Sequence, residues 1–157
     1  MIREQFTLSS PAFVKGDLIP TINTSEGSDY SPFLAWHCPP GSSQSFALIM
    51  DDPDIAKGHF THWILFDIPA EVRELPFNDR TIGIAGSNDF QNVGYSGPRA
   101  PQNQGRHRYF FHLFALDVES LKLPAGASRK QVESAMRPHI VGTAELMGCF
   151  GHARSHR

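Results

Sequence analysis

The chain is short of several things, and each shortage excludes a class of protein. It has only two cysteines, Cys38 and Cys149, far apart and with no second cysteine near either. That spacing makes neither a disulfide framework nor a zinc site, and it fits thiols in a reducing compartment. There is no excess of positive charge. Fourteen Lys and Arg stand against sixteen Asp and Glu, for a net charge of −2. A general nucleic-acid binder needs a basic field to displace counterions from phosphates, so that role is excluded. Long apolar runs are missing too. The longest, Phe46–Met50 and Trp63–Phe66, fall far below the roughly 20 residues of a membrane-spanning helix. The first residues, Met1–Gln5, carry no positive stretch followed by an apolar core, so no secretory signal is expected. These absences predict a cytoplasmic protein.

What is present is glycine and proline. Thirteen glycines and twelve prolines make about 16% of the 157 residues, against an ordinary share of roughly 12%. That excess favours a turn-rich, mainly β fold over a helix bundle. The length predicts one domain over 1–157, with no repeat, linker or low-complexity tract. Residues 151–157 read as a polar, frayed tail.

Three segments carry the strongest strand signal: Phe46–Met50, Trp63–Ile68 and Tyr109–Leu116. Apolar residues fill both parities in each, which predicts central strands covered on both faces. Gln5–Leu8 and Ile82–Ala85 are weaker strand candidates. Ser128 and Gln131 form a capping-box pattern, with Val132 and Met136 following at helical spacing. Pro138 predicts either a kink or the start of a second helix. Ile140, Ala144 and Met147 predict an apolar helical face after it, with Gly148 as the stop.

The polar residues that interrupt this framework cluster at strand ends. Asp51–Asp52–Pro53–Asp54 follows the first central strand, His62 precedes the second, and His107–Arg108 precedes the third. If the first two strands are antiparallel, Asp52 and His62 share one end of the sheet, and His107 joins them if the third strand starts there. The stiff loop Gly94–Tyr95–Ser96–Gly97–Pro98 comes before His107. Its backbone N–H groups around Ser96 and Gly97 are expected to form an anion-binding concavity. Two imidazoles as donors, and one carboxylate to orient them, would complete a pocket for phosphate, sulfate or carboxylate.

Other histidines receive plainer readings. His112 is expected to be a structural residue, and His152 and His156 solvated tail residues. His59 and His62 have an H-x-x-H spacing, but without nearby Cys or a Glu-bearing helix motif no metal is assigned. No cofactor is implied. No Gly-x-Ser-x-Gly motif is present, so enzymatic activity is not expected. Acid–base hydrolysis of an ester or phosphoester by the same His and Asp is the alternative chemistry.

The ordered motifs Ala47–Leu48–Ile49–Met50–Asp51–Asp52–Pro53–Asp54 with His62–Trp63, then Gly94–Tyr95–Ser96–Gly97–Pro98 with His107–Arg108–Tyr109 and Phe114–Ala115–Leu116–Asp117, resemble the phosphatidylethanolamine-binding protein family. The closest likeness is to its small prokaryotic, Raf kinase inhibitor-like branch. Phe6–Thr7–Leu8 with Ser10–Pro11–Ala12–Phe13, and Ser31–Pro32 with Leu34 and Trp36, resemble the family's opening blocks. His139–Ile140 with Ala144–Glu145–Leu146 and Gly148 resembles its C-terminal helix.

The resemblance implies a two-sheet β-sandwich with a C-terminal helical layer and a shallow anion pocket. Asp52, His62, Ser96, Gly97, Pro98 and His107 would bind the ligand, with Tyr109 as a wall. Pro53, Asp54 and Phe60 would support it, Asp54 by bracing the loop and Phe60 as an aromatic rim. The implied function is a non-enzymatic binder of phosphate or phosphorylated head groups, possible as a homodimer. A kinase- or protease-inhibiting interaction module is the alternative. Two departures bear on the rim: Ile55–Ala56 after the acidic tripeptide, and Arg99–Ala100 where the family's loop usually continues in prolines.

Overall fold

A central strand, β3 (Ser45–Asp52), has every residue buried. Its side chains alternate between two cores, which is why its sequence shows no polar parity. Phe46, Leu48 and Met50 point into one core with Leu34 and Trp36, while Ala47 and Ile49 point into a second with Val132 and Met136. β3 lies between β4 (Phe60–Pro69) and β7 (His107–Leu116), antiparallel to both. β6 (Ile84–Ala85) and β8 (Ile140–Phe150) are the edges of this five-stranded sheet, in the order β6-β4-β3-β7-β8. A three-stranded antiparallel sheet of β1 (Thr7–Ser9), β2 (Leu34–His37) and β5 (Glu74–Leu75) packs on one face. The helix α1 (Arg129–Met136) covers the other. The computed structural model describes residues 5–55, 58–99 and 105–152. His156 and most of the anticipated tail lie outside them. Among the described residues no helix is long and apolar enough to cross a membrane.

The mainly β, two-sheet architecture is as the sequence predicts, and α1 begins with the expected capping box. Ser128 Oγ accepts from the Gln131 N–H, and Gln131 Oε1 from the Ser128 N–H. The helical layer stops sooner than predicted. Pro138 sits in a single 3-10 turn, Arg137–His139, and the chain then becomes β8. The helix predicted over Ile140–Met147 is a strand. Ala144, Leu146, Gly148 and Phe150 are buried at every second position, a period of two that the small residues conceal in the sequence. Gly148 is no helix stop: a side chain there would strike Ile19 and Phe13.

One irregularity in β4 shapes everything that follows. Met50 pairs with Trp63 and Asp51 with Thr61, so His62 is an extra residue with no opposite number. This β-bulge shifts the alternation by one residue. Thr61 and Ile64 face α1, where the Thr61 hydroxyl accepts from Arg129. His62 and Trp63 both face the opposite side, His62 against Tyr109 and Trp63 within the inter-sheet core.

Candidate functional site

Alternation along β3 and β7 and the bulge in β4 bring Asp52, His62, His107 and Tyr109 to one end of the large sheet, on the face away from α1. They line a cavity of about 130 Å³ together with Phe60, Phe90, Ile55 and Arg99. A larger cavity, about 300 Å³, opens beside Trp63, Tyr95, Asp29 and Arg80. It has no histidine, and the sequence motifs point to the smaller one.

Both oxygens of Asp52 are used. Oδ1 accepts the Asp54 N–H at 2.7 Å, which closes an Asx turn around the half-buried Pro53. Oδ2 faces His107 Nδ1 at 2.6 Å. A carboxylate oxygen accepts, so Nδ1 carries the hydrogen and Nε2 is the free end of the ring. His62 is fixed in a parallel way by a different partner. Its Nδ1–H donates to the Ser96 carbonyl at 2.7 Å. Neither Nε2 has a hydrogen-bond partner among the described residues. Around His62 stand Phe60, Phe90 and Tyr109, with ring centroids 5.2, 5.3 and 5.2 Å away. This burial pushes the His62 imidazole below its ordinary range, against the pull of the Ser96 carbonyl and the Asp52 charge. Burial, with Asp52 nearby, raises the Tyr109 phenol, whose hydroxyl donates to the Arg99 carbonyl.

Asp54 is not among the residues that line the cavity. It accepts from the Arg108 N–H, Nε and Nη2 at 2.9, 2.9 and 2.8 Å and so ties the loop after β3 to the start of β7. These bonds hold its carboxyl below the usual range.

The expected backbone concavity at Ser96 and Gly97 is not formed. The Ser96 N–H donates to the His62 carbonyl and the Gly97 N–H to Asp29 Oδ1. Neither residue lines the cavity, nor does Pro98, whose carbonyl accepts from Ser25. The loop instead acts behind the site. Ser96 bonds the backbone of His62 and fixes its ring, and Asn88 holds the Ser96 hydroxyl. Gly97 allows this packing because a Cβ there would run into the Asn23 carbonyl and the Asp29 carboxylate.

Arg99, one of the departures, is exposed at the cavity with its guanidinium 4.2 Å from the centre of the Phe90 ring. Phe90 is the lining residue that sequence reading missed. It follows a turn closed by Asn88, whose side chain accepts from the Phe90 N–H, and only an aromatic in a polar loop marked it.

The remaining histidines sit elsewhere. His59 Nδ1 lies 3.8 Å from Asp51, on the α1 face, so the H-x-x-H pair is split between the two faces of the sheet. His112 bridges Asp51 and Glu145. His152 is exposed but not merely solvated, since its Nε2 meets Glu26 at 2.8 Å. No metal-binding group of three or more His, Cys, Asp or Glu was found among the described residues.

Comparison with known proteins fits this geometry. Residues 9–151 match the pattern of the phosphatidylethanolamine-binding protein family. The chain belongs to that family. A relative from Aquifex aeolicus, a UPF0098 protein, is 49% identical over 90% of this chain and 85% of its own length. A UPF0098 protein of Methanothermobacter thermautotrophicus is 41% identical over 91% and 97%. Among solved structures, a phosphatidylethanolamine-binding protein homologue from Chlamydia trachomatis superposes with a TM-score of 0.87 at 34% identity, covering 93% of this chain and 97% of that one. YbcL of Escherichia coli gives 0.88 at 27%, covering 95% and 99%. Family members thus share the sandwich that brings the two histidine-bearing strands together here.

Proposed function

We propose that this chain is a non-enzymatic binding protein whose pocket holds phosphate or a phosphorylated head group. The observation that carries this reading is the orientation of the two imidazoles. Each is pinned through Nδ1, His107 by Asp52 and His62 by Ser96, which leaves both Nε2 atoms for a ligand. When His107 Nε2 carries a proton it donates into the cavity, and the carboxylate behind it balances the charge. Arg99 adds a fixed cation at the same cavity. The aromatic walls limit competing water around these groups.

A hydrolase working through a covalent intermediate would need a side-chain nucleophile beside one of the Nε2 atoms. The nearest serine in the motif, Ser96, lies outside the cavity lining with its hydroxyl on Asn88, which speaks against a serine-based route. A cytoplasmic location and self-association as a homodimer belong to the same proposal; light scattering tests the latter.

Calorimetric titration of inorganic phosphate tests the pocket. His107→Ala is expected to weaken binding by at least about tenfold, the scale of a lost charge-assisted hydrogen bond. Equal affinity of wild type and variant would remove the reading.

A further inference from the structure

His62 and Arg99 do not offer a ligand the same thing. The Ser96 carbonyl has only lone pairs, so the hydrogen of the 2.7 Å contact sits on His62 Nδ1. A neutral ring with its hydrogen on Nδ1 presents a bare lone pair at Nε2. Phe60, Phe90 and Tyr109 enclose this ring. The charged or titratable groups that face it are few. The Asp52 and Asp29 carboxylates favour a second proton on the ring, but burial outweighs them. Tyr109 turns its hydroxyl to the Arg99 carbonyl. His107 and Arg99 share the cavity, and the fixed charge of Arg99 opposes any added positive charge. His62 Nε2 is therefore an acceptor at neutral pH, set beside the fixed donor Arg99.

We infer that the pocket selects an oxyanion that still carries a proton, namely phosphate or a phosphate monoester, over sulfate, carboxylates and phosphodiesters. The inference rests on the anion-site reading above and specifies its ligand class. A phosphate monoester with a second pKa near 6 keeps a P–OH in its monoanion, which donates to His62 Nε2. Its ionised oxygens accept from Arg99, and from His107 when Nε2 of that ring carries a proton. Sulfate, carboxylates and phosphodiesters have no such hydrogen at neutral pH. Each would set an oxygen lone pair against the lone pair of His62 and leave a buried acceptor without a partner, the kind of mismatch that discriminates strongly in enclosed sites.

The test is calorimetry on the whole chain at pH 6.5 and matched ionic strength, with inorganic phosphate, methyl phosphate, dimethyl phosphate and sulfate as probes. The first two are expected to bind at least about tenfold more tightly than the last two. The gap to sulfate should close as the pH falls far enough to protonate His62, since Nε2 then becomes a donor. His62→Gln, whose amide can turn its N–H₂ to the cavity, is expected to narrow the gap as well. A readout independent of any variant is long-range proton–nitrogen NMR of the wild-type rings. It should show His62 Nε2 without a hydrogen, both alone and with phosphate bound. Equal binding of all four anions, or a protonated Nε2 at pH 6.5, overturns the inference and leaves the anion site standing. Binding of none overturns both.

Discussion

Asp51 and Asp52 are adjacent residues of the same type on one strand, both almost fully buried, yet they do different work. Asp51 faces α1. Arg129 donates to its Oδ2 at 2.9 Å, and His112 Nε2 lies 3.1 Å from its Oδ1. Burial alone would raise the Asp51 carboxyl, but the hydrogen bonds and charges of His112 and Arg129 hold it below the ordinary value. Asp52 faces the other way. It has no arginine, one histidine, and a cavity beyond that histidine. A buried carboxylate closed over by a fixed cation is a structural tie. The same carboxylate backed only by an imidazole with a free outer nitrogen is what the proposed ligand site is built on. The alternation of a β-strand supplies both from one dipeptide.

This contrast can be broken in several ways. The largest effect is expected from Asp51→Ala, which leaves Arg129 and His112 without their shared anion. It should cost about 3 kcal/mol of stability in urea denaturation. Asp52→Asn keeps an acceptor for His107 and should cost about 1 kcal/mol or less. A reversed order would show that the closed cluster is not the structural one.

Binding should sort the opposite way. His107→Ala should lose about 2 kcal/mol of phosphate affinity, whereas His112→Ala, on the far face, should leave the dissociation constant within about twofold. Loss of affinity in both variants would mean that the faces are coupled.

Loosening the helix that carries Arg129 gives a smaller change. Ser128→Ala removes the capping box and should cost about 1 kcal/mol. Combined with Asp51→Ala, it should cost less than the sum, because Arg129 then has no partner to be positioned for.

The faces also differ in their response to pH. His62 titrates below its ordinary value near 6.5, so the unfolded chain takes up the proton first. Stability should therefore decline as pH falls from about 6.5 toward the depressed folded value, and His62→Asn should flatten that slope. Asp51 and Asp54 are depressed relative to 3.8. Their contribution is present above that value and is lost as pH falls below it. Urea midpoints at pH 7, 5 and 3 separate the two windows.

Much of this was readable in the residues, because local signals and global packing agreed. Phe46–Met50 is apolar at both parities because β3 has a core on each side. Asp52, His62 and His107 converge because neighbouring antiparallel strands put their ends together. Illegible features depended on distant partners. The N–H of Gly97 goes to Asp29, which lies far away in sequence, so a loop that looked like an anion nest has its donors already taken. Ile140, Ala144 and Met147 match a helical period by coincidence, while Gly142 and Gly148 hide the true alternation under close packing by Pro40, Ile19 and Phe13.

The unmatched residue in β4 has one more consequence. It works as a change of phase: before it the strand keeps one beat, after it the other. Deleting His62 would remove one ring from the hollow yet leave Phe60 and Thr61 where they are, since Thr61 would still pair with Asp51 and Trp63 with Met50. The inserted residue is what lets two consecutive side chains, one for the hollow and one for the oily interior, lean the same way.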